Sequence, residues 1–240
     1  GRDGTVVAAI SDTHLGSLIG ARWLDGRVAQ VQAIRPDVVV LLGDITEGHG
    51  ASAESFLPGL RRLSAPLGVF AATGNHEFAG CEESQCLENW WGAFPELRGH
   101  RWYAAALGPA VLGIMLDTAS SLLAGSPQRT WLEQQLAALP AAVRFVVITM
   151  HHPPVDDPQS GHEAGHNVRP NEQALADYLT LREKTGDERI ILMTESPQWQ
   201  AFDFVRESLE KITAWADVLV CSATPGEALV REWEEHDISK

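Results

Sequence analysis

Four short groups of polar residues in this chain carry side chains that can bind divalent metal ions. They are Asp12-Thr13-His14, Gly43-Asp44, Gly74-Asn75-His76-Glu77 and His151-His152. Carboxylate oxygens and imidazole nitrogens together suit divalent transition metals. Residues two apart in an extended chain project to the same side, so Asp12 and His14 can converge on one ion. The residue types therefore predict metal chemistry, with a polar turn or a helix cap as the alternative for any group taken alone.

Each of these groups comes directly after an apolar run of the kind that forms a buried parallel strand, at residues 5–10, 38–42, 67–72 and 145–150. In open α/β sheets, ligands bind at the carboxyl ends of such strands. Further strands are predicted at residues 102–106, 110–116 and 189–193, and helices at residues 23–34, 53–63 and 130–139. The pattern indicates an α/β fold in which the polar groups share one edge, and glycines 43 and 74 suit tight turns there.

The composition of the chain limits which kinds of protein it can be and which partners it can bind. The chain has 240 residues, 45% of them hydrophobic, with no linker or low-complexity tract, which favours a single domain over residues 1–240. A net charge of -14 argues against nucleic acid as a partner. No segment approaches the roughly 20 apolar residues of a membrane span, so no membrane association is expected. The compartment stays open between the cytoplasm and export with a signal removed, and the oligomeric state is unknown.

The four polar groups, in this order and each after a strand, resemble the calcineurin-like metallophosphoesterase family. The resemblance covers roughly residues 5–190 and includes the helix at residues 131–136 and the prolines that follow His151-His152. It implies an α/β/β/α sandwich of two mixed sheets, with two divalent metal ions such as Mn, Fe or Zn between the strand ends. The implied activity is hydrolysis of a phosphate mono- or diester by a hydroxide that bridges the metals, so the implied partner is a small phosphate-ester substrate.

The resemblance also assigns roles to residues. It makes Asp12 and His14 ligands of one metal, Asn75 and His151 ligands of the other, and Asp44 the bridge between them. A bridging carboxylate is chemically sensible, because two cations about 3.5–4 Å apart repel each other unless anionic oxygens lie between them.

Three further side chains flank this ligand set. His76 would donate a proton to the phosphoryl or leaving oxygen, oriented by Asp44 or another carboxylate. His152 is expected behind the ligands or in the substrate pocket. Glu77 is expected to be a helix cap or solvated rather than catalytic.

One expected ligand group is missing from the chain. Family members usually end with Gly-His-x-His after another strand, whereas Ser196 and Gln198 stand where the two histidines are expected. His162, His166 and Glu195 are candidate substitute ligands, with contact to substrate or solvent as the alternative for the histidines. The departure supports a second hypothesis, a catalytically impaired relative that acts as a binding or structural protein.

The last part of the chain, from residue 195, is expected to be an atypical C-terminal segment. Residues 201–240 weakly resemble haloacid dehalogenase-type hydrolases, most clearly at residues 216–225, but the chain lacks that family's nucleophilic Asp-x-Asp block. The alternative is that this segment completes the sheet with a helix at residues 204–212, a strand at 217–221 and a closing helix at 227–235. Cys81 and Cys86 lie close enough in sequence for a local disulfide, although free thiols are equally expected.

Overall fold

The computed structural model describes residues 5–16, 19–47, 53–78, 87–152, 190–193 and 216–221. Within these residues the strands form two four-stranded sheets, in the orders β3-β2-β1-β8 and β4-β5-β6-β7. The strands are β1 (Thr5–Ile10), β2 (Val38–Leu41), β3 (Val69–Ala71), β4 (Tyr103–Gly108), β5 (Val111–Met115), β6 (Phe145–Thr149), β7 (Ile190–Met193) and β8 (Ala216–Cys221).

Four α-helices lie among the described residues, and short 3-10 turns accompany them. The helices are α1 (Ala21–Ala33), α2 (Leu57–Leu60), α3 (Glu88–Ala93) and α4 (Pro127–Ala137), and the turns are Ala53–Ser55, His76–Phe78 and Pro95–Leu97. The start of α4 follows directly from the sequence, because Ser126 caps it by accepting the Arg129 N–H and Pro127 occupies its first turn.

The first sheet is wholly parallel, since β1 pairs in parallel with both β2 and β8, and β2 pairs in parallel with β3. The second sheet is mixed, because β4 runs antiparallel to β5 whereas β5, β6 and β7 are parallel. The carboxyl ends of β1, β2 and β3 therefore lie along one edge of the first sheet, and those of β5, β6 and β7 along one edge of the second.

The apolar side chains form three layers of packing. Helices α1, α2 and α3 pack on one face of the first sheet, where Leu24, Leu60 and Trp90 join sheet residues such as Val39. Helix α4 packs on the outer face of the second sheet through Leu132. Phe70 and Met193 belong to the apolar clusters of both inner faces, so the two sheets are stacked against each other. This is the expected α/β/β/α sandwich.

Within the described residues, the sequence-predicted elements are confirmed with shifts of a few residues at their ends, with one exception. The helix predicted over residues 53–63 is wrong, because the structure has a 3-10 turn at Ala53–Ser55 and a separate short helix α2. Pro58 has no amide hydrogen to bond to the carbonyl of Glu54, and its ring would clash with that carbonyl in a continuous helix.

The C-terminal part is described only at β8, which lies beside β1 as the predicted sheet-completing strand. The predicted helices at residues 204–212 and 227–235, and the cysteines at 81 and 86, lie outside the described residues. The separation of an atypical segment from residue 195 stays a prediction.

Candidate metal centre

The carboxylate of Asp44 is the point at which the strand-end groups meet. Asp44 follows β2 and is 3% exposed. Its Oδ2 lies 3.2 Å from Nε2 of His151, which follows β6 in the other sheet. The same oxygen lies 3.9 Å from Nε2 of His14 and 3.9 Å from Nε2 of His76. Groups that follow β1, β2, β3 and β6 thus converge on one buried oxygen, as the parallel-strand pattern predicts.

Asp12 completes this cluster on the β1 side. Its Oδ1 lies 3.9 Å from Nε2 of His14, and its other oxygen accepts a hydrogen bond from the Ser11 hydroxyl. One ligand atom from each of Asp12, His14 and Asp44 lies within 4.8 Å of the other two. Two carboxylates and an imidazole at these separations can share a cation.

The backbone of the loops after β1 and β2 has an unusual conformation. Asp12, His14 and Asp44 all have positive φ angles, of 54°, 44° and 53°. Left-handed backbone at residues with a Cβ is uncommon and costs roughly 1–3 kcal/mol for each residue unless neighbours fix it. Here the loops fix each other, since the Asp12 N–H donates to the Gly43 carbonyl and the His14 N–H to the Asp44 carbonyl.

Two glycines, Gly43 after β2 and Gly74 after β3, allow Asp44 and His151 to pack closely against these loops. Gly43 has a φ of 97°, and a Cβ on it would lie 2.7 Å from Cβ of His151. A Cβ on Gly74 would overlap the Asp44 carboxylate and lie 2.7 Å from Cδ2 of His151. Both contacts are closer than real side chains permit, so only glycine lets Asp44 and His151 sit against these turns.

The His151 ring is oriented by the backbone. Its Nδ1 lies 3.0 Å from the carbonyl oxygen of Leu42, which can only accept a hydrogen bond. Nδ1 therefore carries a proton, and Nε2 is the atom presented to Asp44. A histidine that donates its other ring N–H to a backbone carbonyl is the usual arrangement of a metal ligand.

Glu47 orients two histidines at once, a role that sequence reasoning missed. Its Oε1 lies 3.1 Å from Nδ1 of His14 and its Oε2 lies 3.3 Å from Nδ1 of His76. The two rings contact each other edge to face, with centroids 4.3 Å apart. Glu47, rather than Asp44, is thus the carboxylate that contacts Nδ1 of His76. The available sequence signal was its position in the same short loop as Asp44.

Asn75 lies beside the cluster and contacts His152. Its Oδ1 lies 2.9 Å from Nε2 of His152, and Nδ1 of that ring lies 2.7 Å from the Thr118 hydroxyl oxygen. The next residue, His76, donates its backbone N–H to Oδ1 of Asp44 at 2.8 Å. The expected place of His152, behind the ligands or in the substrate pocket, stays a prediction, and its contact with Thr118 was not anticipated.

Asp44 and Glu77 are neighbouring buried acids with opposite pKa shifts. Burial raises the pKa of the Asp44 carboxyl, but the hydrogen bond and charge of His151, with the His76 N–H, outweigh burial and lower it to about 2. Burial and the charge of Asp44 raise the pKa of Glu77 to about 7, although N–H groups of Thr46 and Gly74 act in the opposite direction. Asp44 therefore carries the stable negative charge of the pair.

The comparison with protein families agrees with this geometry. The family model of the calcineurin-like phosphoesterases matches residues 5–221, which include all four strand-end groups and β8. The chain belongs to the calcineurin-like phosphoesterase family. The matched region extends past residue 190, the end of the resemblance recognised from the sequence.

Several proteins named as metallophosphoesterases or phosphatases are similar to this chain, and the chain spans less than two thirds of the length of the curated relatives among them. A Danio rerio transmembrane protein with a metallophosphoesterase domain is 36% identical over 76 residues, which are 32% of this chain and 17% of that protein. The uncharacterized metallophosphoesterase YkuE of Bacillus subtilis is 26% identical over 182 residues, 70% of this chain and 61% of YkuE. A solved dimetal phosphatase from Danio rerio aligns at 19% identity and a TM-score of 0.42, over 99% of this chain and 79% of that one.

The remaining sequence-predicted residues of this family member lie outside the described residues. These are His162, His166, Glu195, and the positions Ser196 and Gln198 where the family pattern has histidines. Their part in the site stays a prediction. Among the described residues, none of the helices combines the length and the hydropathy that a membrane span needs.

Proposed function

We propose that the chain hydrolyses phosphate mono- or diesters at the site centred on Asp44, with the help of two divalent metal ions. The observation that supports this most strongly is the convergence of His14, His76 and His151 on one buried oxygen of Asp44. Membership of the calcineurin-like phosphoesterase family makes a phosphate ester the expected substrate class.

The donor set fits divalent transition metals. Asp12 and His14 would hold one ion and Asn75 and His151 the other, with Asp44 shared between them. The second ring nitrogens of His151 and His14 already contact acceptor oxygens, those of Leu42 and Glu47, so their Nε2 atoms are left to face the cluster. Such ring contacts fix the tautomer and raise the basicity of a ligating histidine. Mn, Fe and Zn all accept this mixture of oxygen and nitrogen donors.

When bound, such cations supply positive charge that offsets the charge growing on the phosphoryl oxygens, and they activate water as the nucleophile. The protein itself would position the reacting groups and supply a proton to the leaving oxygen. His76 is the proposed catalytic residue, because Glu47 contacts its Nδ1 and leaves Nε2 facing the site. The Glu47 carboxylate orients the ring, so that Nε2 faces the position of the leaving oxygen and can donate a proton to it.

A second candidate function is a metal-binding protein with little or no hydrolytic activity. Ser196 and Gln198, in place of the two histidines of the family pattern, favour it. A hydroxyl and an amide are weaker donors than imidazole, so each metal would lose one good ligand.

Metal content and turnover measured on the same preparation separate the two candidates. The full chain is dialysed against Mn²⁺, its metal is counted by mass spectrometry, and hydrolysis of an aryl phosphate and an aryl phosphodiester is followed. The matched pair of variants is Asp44→Asn and Asp37→Asn. Asp37 accepts the Val6 N–H at the opposite end of the first sheet, so it controls for the loss of a structural carboxylate.

The proposal of hydrolysis predicts three results. The chain binds two metal ions, it turns over at least one ester, and turnover is lost in Asp44→Asn but not in Asp37→Asn. Metal binding with no turnover of either ester would favour the binding protein instead. Turnover that survives in Asp44→Asn at the wild-type rate would remove the proposed site from consideration.

A further inference from the structure

Glu77 is a buried acid that the proposed chemistry does not use. It belongs to the 3-10 turn His76–Phe78 and is 1% exposed, so it is neither solvated nor only a helix cap. Its Oε2 accepts the backbone N–H groups of Asp44 at 3.0 Å and of Gly74 at 2.7 Å. Its Oε1 accepts the N–H of Thr46 at 2.8 Å. One carboxylate thus satisfies three backbone donors.

These three donors belong to two different loops. Asp44 and Thr46 lie in the loop after β2, whereas Gly74 lies in the loop after β3. The loops approach so closely that a Cβ on Gly74 would meet the backbone nitrogen of Asp44 at 2.7 Å. Glu77 therefore bonds both loops where they meet.

Both sides of this junction carry proposed metal ligands. Asp44 has a left-handed backbone, with a φ of 53°, and Glu77 bonds its N–H directly. On the other side, Gly74 immediately precedes Asn75 and His76. A backbone conformation of this kind persists only where surrounding contacts enforce it, and for Asp44 the bond from Glu77 is one of those contacts.

We propose that Glu77 is a positioning residue, whose carboxylate sets the spacing between Asp44 and the Asn75-His76 pair and thereby sets the affinity of the site for divalent cations. This inference rests on the proposed function for the ligand roles of Asp44 and Asn75. Outer groups that hold metal ligands in place typically change metal affinity or activity by about 10- to 100-fold when they are removed.

Two substitutions at Glu77 test separately the charge of its side chain and the length of its side chain. Glu77→Gln keeps the length of the side chain but replaces one acceptor oxygen with an NH₂ donor. In either amide orientation at least one backbone N–H then faces a donor. Glu77→Asp keeps the charge but is one methylene shorter, so it cannot reach both loops. Asp37→Asn is the matched control, since it also removes a carboxylate that accepts a backbone N–H from another segment, far from the site.

Two readouts are measured besides turnover. The first is hydrogen exchange of the Asp44, Thr46 and Gly74 amides in metal-free protein, which reports the Glu77 bonds directly. The second is the Mn²⁺ dissociation constant from calorimetric titration. We expect Glu77→Gln to speed exchange at these amides at least 10-fold and to raise the Mn²⁺ dissociation constant about 10- to 100-fold. Asp37→Asn should change neither by more than about twofold.

A Glu77→Gln protein with faster exchange but wild-type Mn²⁺ affinity would overturn the proposal, since Glu77 would then be structural only. If Glu77→Gln does not fold, the same comparison is made with Glu77→Asp, for which unchanged Mn²⁺ affinity is again the contrary result. The inference fails separately from the proposed function. Wild-type protein that binds Mn²⁺ but hydrolyses no phosphate ester contradicts the function alone, and the Glu77 comparison still stands on its binding constants.

Discussion

Nε2 of His152 lies 2.9 Å from Oδ1 of Asn75. Oδ1 of Asn75 can only accept a hydrogen bond, so Nε2 of His152 carries a proton and donates to it. On the other side of the ring, the Thr118 hydroxyl oxygen lies 2.7 Å from Nδ1 and accepts the His152 backbone N–H. These contacts hold the His152 ring against the Asn75 amide. A second lone pair of Oδ1 stays available for a cation.

We expect His152→Ala to lower Mn²⁺ affinity about 10-fold, because the Asn75 amide loses the donor that orients it. Calorimetric titration with Mn²⁺ measures the change. His100→Ala is the control, since His100 is an exposed histidine outside the site. Equal dissociation constants in the two variants would show that Asn75 needs no support from His152.

Glu47→Gln tests the carboxylate that contacts both His14 and His76. An amide can accept from only one of the two rings and offers a donor to the other, so one imidazole is no longer held. We expect kcat for an aryl phosphate to fall about 10- to 100-fold. Glu133→Gln, on the exposed side of α4, removes a carboxylate that bonds to Arg129 on the same helix and should leave kcat unchanged. A Glu47→Gln enzyme with wild-type kcat would exclude this orienting role.

Gly74→Ala tests the close approach of the loops that follow β2 and β3. The added Cβ would overlap the Asp44 carboxylate, so the loops must separate. We expect a loss of about 1–3 kcal/mol in the free energy of unfolding, as for other over-packed sites, and weaker Mn²⁺ binding. Gly26→Ala is the matched control. Gly26 lies in the exposed part of α1 with open space around its Cα, and alanine should stabilise that helix by up to about 1 kcal/mol. Urea unfolding of both variants gives the comparison, and equal changes would contradict the loop contact.

Tyr103 connects the edges of the two sheets, and its ionisation is expected to lower the stability of the fold at alkaline pH. Its hydroxyl accepts the Ala71 N–H and donates to the Ala71 carbonyl, both at 3.0 Å. Burial, with a smaller contribution from the charge of Glu96, raises the pKa of the phenol to about 12, against a hydrogen bond from Ala71 that lowers it. The folded chain therefore holds this proton more tightly than the unfolded chain.

The stabilisation from Tyr103 is complete below pH 10, the usual pKa of a tyrosine, and is lost as the pH rises from about 10 to about 12. A shift of two units corresponds to roughly 2–3 kcal/mol. Urea unfolding across this range measures the loss, and subtracting the curve of Tyr103→Phe removes the contribution of lysines and of the other tyrosine. If the wild type and Tyr103→Phe lose the same amount of stability between pH 10 and 12, the pKa of Tyr103 is not raised by folding.

The sequence places the candidate ligands at strand ends because its main signal is local. An apolar run followed at once by a carboxylate or histidine identifies both the strand and its ligand end, and Asp44 and His151 lie as that rule implies. Glu47 and Glu77 were not assigned their roles because these depend on contacts between different loops. The spacing of Gly74 and Glu77, three apart, resembles that of a capping box and was the available hint.

The predicted helix over residues 53–63 was wrong for a related reason. Its apolar spacing suits a helix, but the single residue Pro58 prevents a continuous one. The bond between Tyr103 and Ala71 also has no local signal, since the two residues belong to different sheets. Local periodicity thus identifies the elements and their ends, whereas contacts between elements have to be seen in three dimensions.

The pairing of β1 with β8 has a consequence for how the chain folds. Thr5 lies opposite Ala216, so the strand that precedes Asp12 and His14 gains its second neighbour only after the chain has been synthesised as far as β8. Closing so large a loop costs entropy before any contact compensates for it, and proteins rich in such distant pairings fold slowly. Until then β1 keeps one open edge, whose unpaired backbone N–H and C=O groups are of the kind that can pair with another chain.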